Sequence, residues 1–173
     1  MQELLIAFSD IKNNVKQISD HIDVQLINNA IKEAQDIDLS PIITEPLLIS
    51  IKQLNGTYND EFANLMNGCI YEYMDNNYEI KGLNVALCYF AYARIIKGID
   101  NTVSRTGFLQ KDYDASVHAQ IKERIAAANE AASTGAFYAN KCLDYIIRNA
   151  DSFTTYSVET KKKKRFSINV LGD

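Results

Sequence analysis

The sequence predicts an all-α protein, a helical bundle of about five helices around a central apolar helix, with a long C-terminal helix and an extended C-terminal arm. Hydrophobic residues make up 47% of the 173 residues, enough for one domain with a substantial core. Only 2 prolines and 7 glycines interrupt the chain. Their scarcity favours helices over a β architecture rich in turns.

The central helix is predicted from the most apolar run of the chain, Leu83 to Ile96, in which residues 85–93 carry no charge. A helix that is apolar on almost every side must be covered on most of them, so the other segments are expected to pack around it. Arg94 and Lys97 end the run well short of the roughly 20 apolar residues that a membrane span requires.

The first part of the chain is predicted to contain an arm, one helix and a turn. Residues 1–20 are a leading arm whose few apolar groups are expected to dock on the body or on a neighbour. An amphipathic helix begins at Asp23, which suits the start of a helix, and ends near Gln35. A turn over residues 40–44 follows, because two successive prolines mark helix starts there.

Two more helices are predicted before the central one. The first carries Leu47 to Leu54 inward and is stopped by the pair Asn55-Gly56. The second is capped by Asn59 and runs through Tyr73, since apolar residues recur there at helical spacing.

The longest predicted helix covers residues 116–148, where small and apolar residues repeat every three or four positions. Alanine and glycine in the middle of this seam allow another backbone to approach closely. The pattern leaves open whether the seam serves the internal core or a neighbouring subunit. The candidate subunit-interface residues are Ile121, Ile125, Ala128, Ala132, Gly135 and Ala139.

The connection over residues 98–115 is long for a link inside a compact domain. It is either a surface loop, including a small hairpin closed at Thr106-Gly107, or a loop that contacts a partner. The candidate partner-facing residues are Arg105, Thr106, Gly107 and Phe108.

The last segment, residues 152–173, is a basic, extended C-terminal arm that follows a helical body over residues 21–151. Five adjacent cations resist packing, whereas the apolar residues after them alternate with the period of a strand. Such a strand needs a sheet edge or a groove, which on a helical body is expected to lie on another chain. The candidate partner-binding residues are Tyr156, Lys161, Lys162, Lys163, Lys164, Arg165, Phe166, Ile168 and Val170.

Patterns that carry catalysis or bind cofactors are missing from the sequence. The two histidines and three cysteines lie far apart, so no metal site and no disulfide are expected. Glu72 and Asp75 are predicted to share a helix face near its end as solvated carboxylates. Neither glycine-rich phosphate loops nor a nucleophile elbow occurs. We therefore expect no enzymatic activity, no metal and no cofactor.

Charge is distributed unevenly along the chain. Residues 1–160 hold 13 basic and 21 acidic groups, a net charge of −8, whereas residues 161–165 hold five cations. The basic run fits either nucleic acid, bound without sequence preference, or an acidic protein surface such as the body of the same chain. One interpretation is accordingly an intracellular helical binding or regulatory module that uses its basic tail on nucleic acid.

The order of these parts resembles a family of phage structural proteins. The segments Ile31-Lys32-Glu33-Ala34-Gln35, Pro41-Ile42-Ile43, Ala91-Tyr92-Ala93-Arg94 and Thr106-Gly107-Phe108, followed by a long alanine-rich helix, are similar to head-tail connector (adaptor) proteins of tailed bacteriophages, especially those infecting gut Bacteroidales. The resemblance spans residues 20 to 150, and its motifs are short local matches.

The resemblance implies a structural virion protein, made in the cytoplasm of the bacterial host and located in the neck at the portal vertex. Members of this family form a ring, commonly twelve-fold, that joins the capsid to the tail and extends the DNA channel. The implied partners are further copies of the chain, the portal protein and adjacent neck or tail proteins, with no membrane. DNA is expected to pass without specific binding, which an acidic wall favours because it does not hold phosphates.

Overall fold

The computed structural model describes residues 3–15, 18, 21–98, 101–104, 107–110 and 121–153. Within them the chain is mostly helical, as predicted. The helices are α1 (Phe8–Asn14), α2 (Val24–Glu33), a π-helix (Ala34–Leu39), α3 (Ser40–Ile43), α4 (Glu45–Gln53), α5 (Asp60–Asn67), α6 (Leu83–Gly98), α7 (Ile121–Arg148) and a 3₁₀ turn (Ala150–Ser152).

Two antiparallel hairpins show that the all-α class is wrong. β1 (Cys69–Tyr73) pairs with β2 (Asn76–Ile80), and β3 (Asn101–Ser104) pairs with β4 (Gly107–Gln110). The first hairpin replaces the second half of the helix that was predicted to run through Tyr73. α5 ends at Asn67 because Gly68 adopts a φ of +92°, which an α-helix does not allow.

The helix starts predicted from capping residues are confirmed. The Asp23 carboxylate accepts a hydrogen bond from the backbone N–H of Gln25, at 2.8 Å, at the start of α2. The Asn59 side chain likewise accepts from the N–H of Phe62 at the start of α5, at 3.0 Å. In both places a short polar side chain satisfies a backbone donor that the helix itself leaves unpaired.

The predicted turn over residues 40–44 is wrong in most of its length. The chain continues from α2 through the π-helix and α3 as helix, past the expected end near Gln35. It breaks only at Thr44, whose φ is +79°. Pro41 lies at the start of α3 and Pro46 at the start of α4, where a missing N–H costs no helical hydrogen bond. Asn55 and Gly56 end α4 with positive φ angles, as predicted.

α6 lies in the middle of the core. It packs against α7, α2, α1, the π-helix and α5, and half of its residues are buried. α7 begins, in the described part of the chain, at Ile121 and ends at Arg148, which is the predicted end.

The N-terminal segment docks on the body of its own chain. Leu5, Ile6 and Ile11 are buried in the main core cluster. Gln35, which is fully buried in the π-helix, accepts a hydrogen bond from the N–H of Leu5 at 2.6 Å and donates one to the carbonyl oxygen of Glu3 at 3.0 Å. Both halves of its amide are thus satisfied, which is what allows so polar a side chain to be buried.

Candidate functional site

The hairpin β1–β2 is the most prominent feature of the described surface that the sequence analysis did not predict. Its residues alternate between two faces, with Tyr71 opposite Tyr78 on the face towards α7 and Ile70 opposite Glu79 on the outer face. A two-residue turn, Met74-Asp75, closes it.

Two glycines fix the base of this hairpin. A Cβ atom at Gly68 would lie 2.7 Å from the carbonyl oxygen of Ile80, and one at Gly82 would lie 2.6 Å from the backbone nitrogen of Gly68. Both residues have positive φ angles. Only glycine allows the chain to enter and leave the hairpin through so close a crossing, which holds the hairpin in one orientation on the helical body.

A cluster of three tyrosines and one arginine fixes the middle of the hairpin. The guanidinium carbon of Arg148, at the end of α7, lies 3.9 Å from the ring centroid of Tyr78 and 4.9 Å from that of Tyr73. Arg148 also donates a hydrogen bond to the hydroxyl of Tyr71, at 3.1 Å. Burial raises the pKa of Tyr71, against the opposing effect of the Arg148 charge. Cation–π contacts and a hydrogen bond therefore tie the hairpin to α7.

The turn of the hairpin holds non-glycine residues in the left-handed region, with φ of 49° at Met74 and 59° at Asp75. A type I′ hairpin turn has positive φ at both central positions, which usually selects asparagine, aspartate or glycine. The Asn76 side chain donates to the carbonyl oxygen of Met74 at 2.8 Å and supports this conformation. Met74 is 74% exposed and Ile70 is 73% exposed, so the hairpin presents large apolar side chains to solvent.

The seam of α7 is divided between the core and the surface. Ala128 and Ala139 are fully buried, and a Cβ at Gly135 would lie 2.9 Å from the Phe90 ring of α6. Ala132 packs beside Ala128 at the edge of the same cluster. At Gly135 the backbone that approaches closely is therefore α6 of the same chain, and Ala128, Gly135 and Ala139 are buried within this chain, whereas Ala132 is only partly buried.

Exposed apolar residues lie on the other face of α7. Ile125, Phe137 and Ile147 are exposed there, and the Lys141 ammonium lies 5.8 Å from the centroid of the Phe137 ring. Ile125 is the one member of the predicted interface for which the structure describes an exposed side chain, and Ile121 is the first described residue of the helix. A subunit interface on α7 remains a prediction for this outer face.

The predicted loop and arm fall largely outside the described residues. Arg105 and Thr106 lie outside them, whereas Gly107 and Phe108 belong to β4, opposite Ser104 and Val103. The small hairpin that the sequence left as one alternative is therefore present in the backbone. The arm residues from Tyr156 to Val170 also lie outside the described part of the chain.

Arg94 forms the main ion-pair network of the body. Its Nε donates to Oδ2 of Asp38 at 2.7 Å and its Nη2 to Oδ1 at 3.0 Å, while Nη1 contacts Glu33 at 2.5 Å. The hydrogen bonds to Asp38 are the main reason that the pKa of Arg94 is raised. A groove of about 350 Å³ runs beside this network, lined also by Asp23 and Asn29. Since paired carboxylates satisfy Arg94, this cation stabilises the fold and is not presented to a ligand.

Candidate metal ligands do not cluster in the described ranges. No group of three or more histidine, cysteine or carboxylate side chains there is placed to hold a metal ion. Glu72 and Asp75 lie on β1 and on its turn, so the predicted shared helix face is wrong. Cys88 and Cys142 are buried and unpaired, and burial raises the pKa of each thiol to about 12.

In a comparison with known families, residues 39–166 match a family described as "Family of unknown function (DUF6712)". The match covers most of the chain. The protein belongs to the DUF6712 family. No curated protein and no solved structure matches the chain.

The DUF6712 match begins at Leu39, the last residue of the π-helix, and therefore includes the β1–β2 hairpin, α6 and α7. It leaves out α1 and α2, which pack against α6 in the same core. Across the parts of this DUF6712 chain that the structure describes, no helix is both long enough and apolar enough to cross a bilayer.

Proposed function

We propose that the chain is a structural component of the neck of a tailed bacteriophage, a ring-forming connector between the portal and the tail. The observation that carries the proposal is the β1–β2 hairpin, which is held rigidly on a helical body and presents exposed Ile70 and Met74. Exposed apolar groups on a fixed projection are typical of surfaces that bind another protein. The segments that resemble connector proteins support the same assignment.

We further propose that a bundle of helices around α6 forms the body of each subunit and that neighbouring subunits meet on the outer face of α7. Phe137 is 58% exposed on this face, although aromatic side chains of this size are usually covered. A ring requires a heterologous interface, in which one surface of a subunit meets a different surface of the next. The outer face of α7 and the β1–β2 hairpin are two different surfaces of the kind that such an interface uses.

In this proposal the arm from Tyr156 to Val170 binds the portal or an adjacent ring protein, and the chain has no catalytic role. The acidic body, with its net charge of −8 over residues 1–160, lines a channel through which DNA passes. Like charge on the wall and on the phosphates prevents specific retention.

The test is to mix the purified protein with the portal protein from the same genome and to examine the mixture by native mass measurement and negative-stain imaging. Rings of about twelve copies are expected on the portal for the full chain. A Phe137→Asp variant should lose ring closure, because a charge replaces the exposed ring, whereas Gln53→Asp, which adds the same charge at an exposed position on α4, should retain it. A chain lacking residues 156–173 should lose attachment to the portal. Absence of any complex with the full chain would refute the connector assignment.

A second candidate function is favoured by the five cations from Lys161 to Arg165, which form a typical electrostatic contact for nucleic acid. If the chain is a nucleic-acid-binding module, the logarithm of its affinity for duplex DNA should fall with the logarithm of salt concentration with a slope of about −4 to −5. Replacing the five cations by glutamine should abolish the binding. DNA binding with this salt dependence, in the absence of portal binding, would favour this function over the connector.

A further inference from the structure

The outer edge of β1 has no strand beside it among the described residues, because β1 and β2 form a sheet of two strands. In an antiparallel pair, the backbone N–H and C=O groups of every second residue point away from the partner strand. β1 therefore presents a row of unpaired backbone donors and acceptors. Such an edge is a template for the addition of a further strand.

The side chains along this edge combine one apolar residue with negative charge. Ile70 is exposed on the outer face, and Glu72 and Asp75 follow it towards the turn. Neither carboxylate forms an ion pair with another described residue, whereas Glu79 on β2 pairs with Lys81 at 2.5 Å. A strand that fits this edge should therefore carry an apolar residue beside Ile70 and basic residues near the turn.

One segment of the same chain has this composition. In the arm, Phe166, Ile168 and Val170 alternate with polar residues, and the five cations from Lys161 to Arg165 come directly before them. An antiparallel strand with Ile168 beside Ile70 has Phe166 beside Glu72. The basic residues then follow beside the turn, close to Asp75. A parallel strand would place the same cations at the glycine end of β1, away from the carboxylates.

The last described residue lies close enough for this segment to return to its own hairpin. The ring of Phe153 packs 5.9 Å from that of Tyr145, whose ring lies 4.9 Å from that of Tyr71 on β1. The twelve residues from 154 to 165 span up to about 40 Å when extended, which is ample for the short return path. A short tether also gives the segment a high effective concentration at the edge of β1.

We propose that residues 166–170 of the C-terminal arm add to the outer edge of β1 in the same chain as a third, antiparallel strand. The hairpin then becomes a three-stranded sheet, Ile70 is covered by Ile168, and the basic run lies beside the turn, close to Asp75. This interaction concerns the isolated subunit and does not depend on the proposed role in a phage neck. It gives the apolar end of the arm a defined binding place before any partner is present.

The test is hydrogen–deuterium exchange of the full chain at low protein concentration, followed in peptides that cover residues 69–73. Ile168→Pro removes a backbone donor in the middle of the added strand, and Val158→Pro makes the same change within the tether. The amides of β1 should exchange at least about tenfold faster in Ile168→Pro than in the wild type. Val158→Pro should leave them as in the wild type.

A second variant tests the edge itself. Ile70→Lys replaces the exposed apolar contact by a cation that repels the basic run, and its side chain lies outside the core, so the helical body should keep its thermal midpoint. It should accelerate exchange in residues 69–73 as Ile168→Pro does. Equal exchange in the wild type and both variants would overturn the proposal. Protection that rises with protein concentration, together with a doubled native mass, would also overturn it, because the strand would then come from a second copy.

Discussion

Replacing Gly82 by alanine is the sharpest test of how the β1–β2 hairpin is joined to the body. The added Cβ would meet only backbone atoms: the nitrogen of Gly68 at 2.6 Å, the carbonyl carbon of Asn67 at 2.7 Å and, closest, the carbonyl oxygen of Met66. Gly82 also has a φ of +87°, which costs a residue with a Cβ about 1–2 kcal/mol. Displacing a packed backbone costs about 1–3 kcal/mol more.

We therefore expect Gly82→Ala to lower the free energy of unfolding by about 2–5 kcal/mol, out of a typical total of about 5–15. In a domain of this size the thermal midpoint should fall by about 4–20 °C, as measured by circular dichroism. Gly98→Ala is the matched control, because its Cβ would meet only the Leu26 side chain, at an ordinary 3.5 Å. Equal midpoints for the two variants would show that the crossing of Gly68 and Gly82 is not as close as described.

Three further variants test other parts of the structure. Because burial raises the pKa of Cys88 and Cys142 to about 12, the unfolded chain loses these protons first as the pH rises above the ordinary value of 9.0. Stability measured by urea unfolding should therefore fall between about pH 9 and 12, by up to about 2.7 kcal/mol per pH unit, and a double alanine variant should lose this part of the dependence. Arg148→Ala should accelerate hydrogen exchange across β1 and β2, because it removes the cation that contacts Tyr78. Lys141→Ala should not, because the aromatic partner of Lys141 is Phe137 on the exposed face of α7. Equal exchange in the two variants would contradict the anchoring role of Arg148. Arg94→Met should lower the free energy of unfolding, measured by chemical unfolding, by about 1–2 kcal/mol, because it leaves Glu33 and Asp38 without their cation. An unchanged free energy of unfolding would argue against a stabilising role of this network.

The helical part of the fold could be predicted because its signals are local. Asp23 and Asn59 are helix-capping residues that lie at the ends of the observed helices, and the uncharged run in α6 required burial wherever it was placed. The end of α7 followed from the loss of its repeat after Arg148.

The β1–β2 hairpin was missed because the spacing of its apolar residues fits both a helix and a strand. Cys69, Ile70 and Tyr73 fit a continuing helix face, whereas Cys69, Tyr71 and Tyr73 fit one face of a strand. The signal that decides between them is the pair of glycines at residues 68 and 82, which bound a stretch rich in tyrosine and isoleucine.

The candidate site was predicted less well than the fold. Its contacts join residues that lie far apart in the sequence, and a local sequence pattern does not show which residues meet. The alanine and glycine seam of α7 indicated close packing but not which backbone would provide it, and α6 of the same chain does so at Gly135. The partners of Arg94 lie more than 50 positions away in the sequence, on Asp38 and Glu33, so no local pattern shows them. A cation within an apolar helix, such as Arg94, does, however, indicate that carboxylates lie near it in the fold.

The burial of Gln35 has a consequence for how the two ends of the chain respond to their surroundings. The N-terminal segment is held mainly by a neutral amide and by apolar side chains, which dissolved ions screen little, and in addition by one exposed ion pair between Glu3 and Lys32. The C-terminal arm carries five like charges, so its attraction to any acidic surface weakens as ionic strength rises. A rise in salt should therefore weaken the contacts of the arm much more than those of the N-terminal segment, where it screens only the Glu3–Lys32 pair and leaves the buried contacts in place.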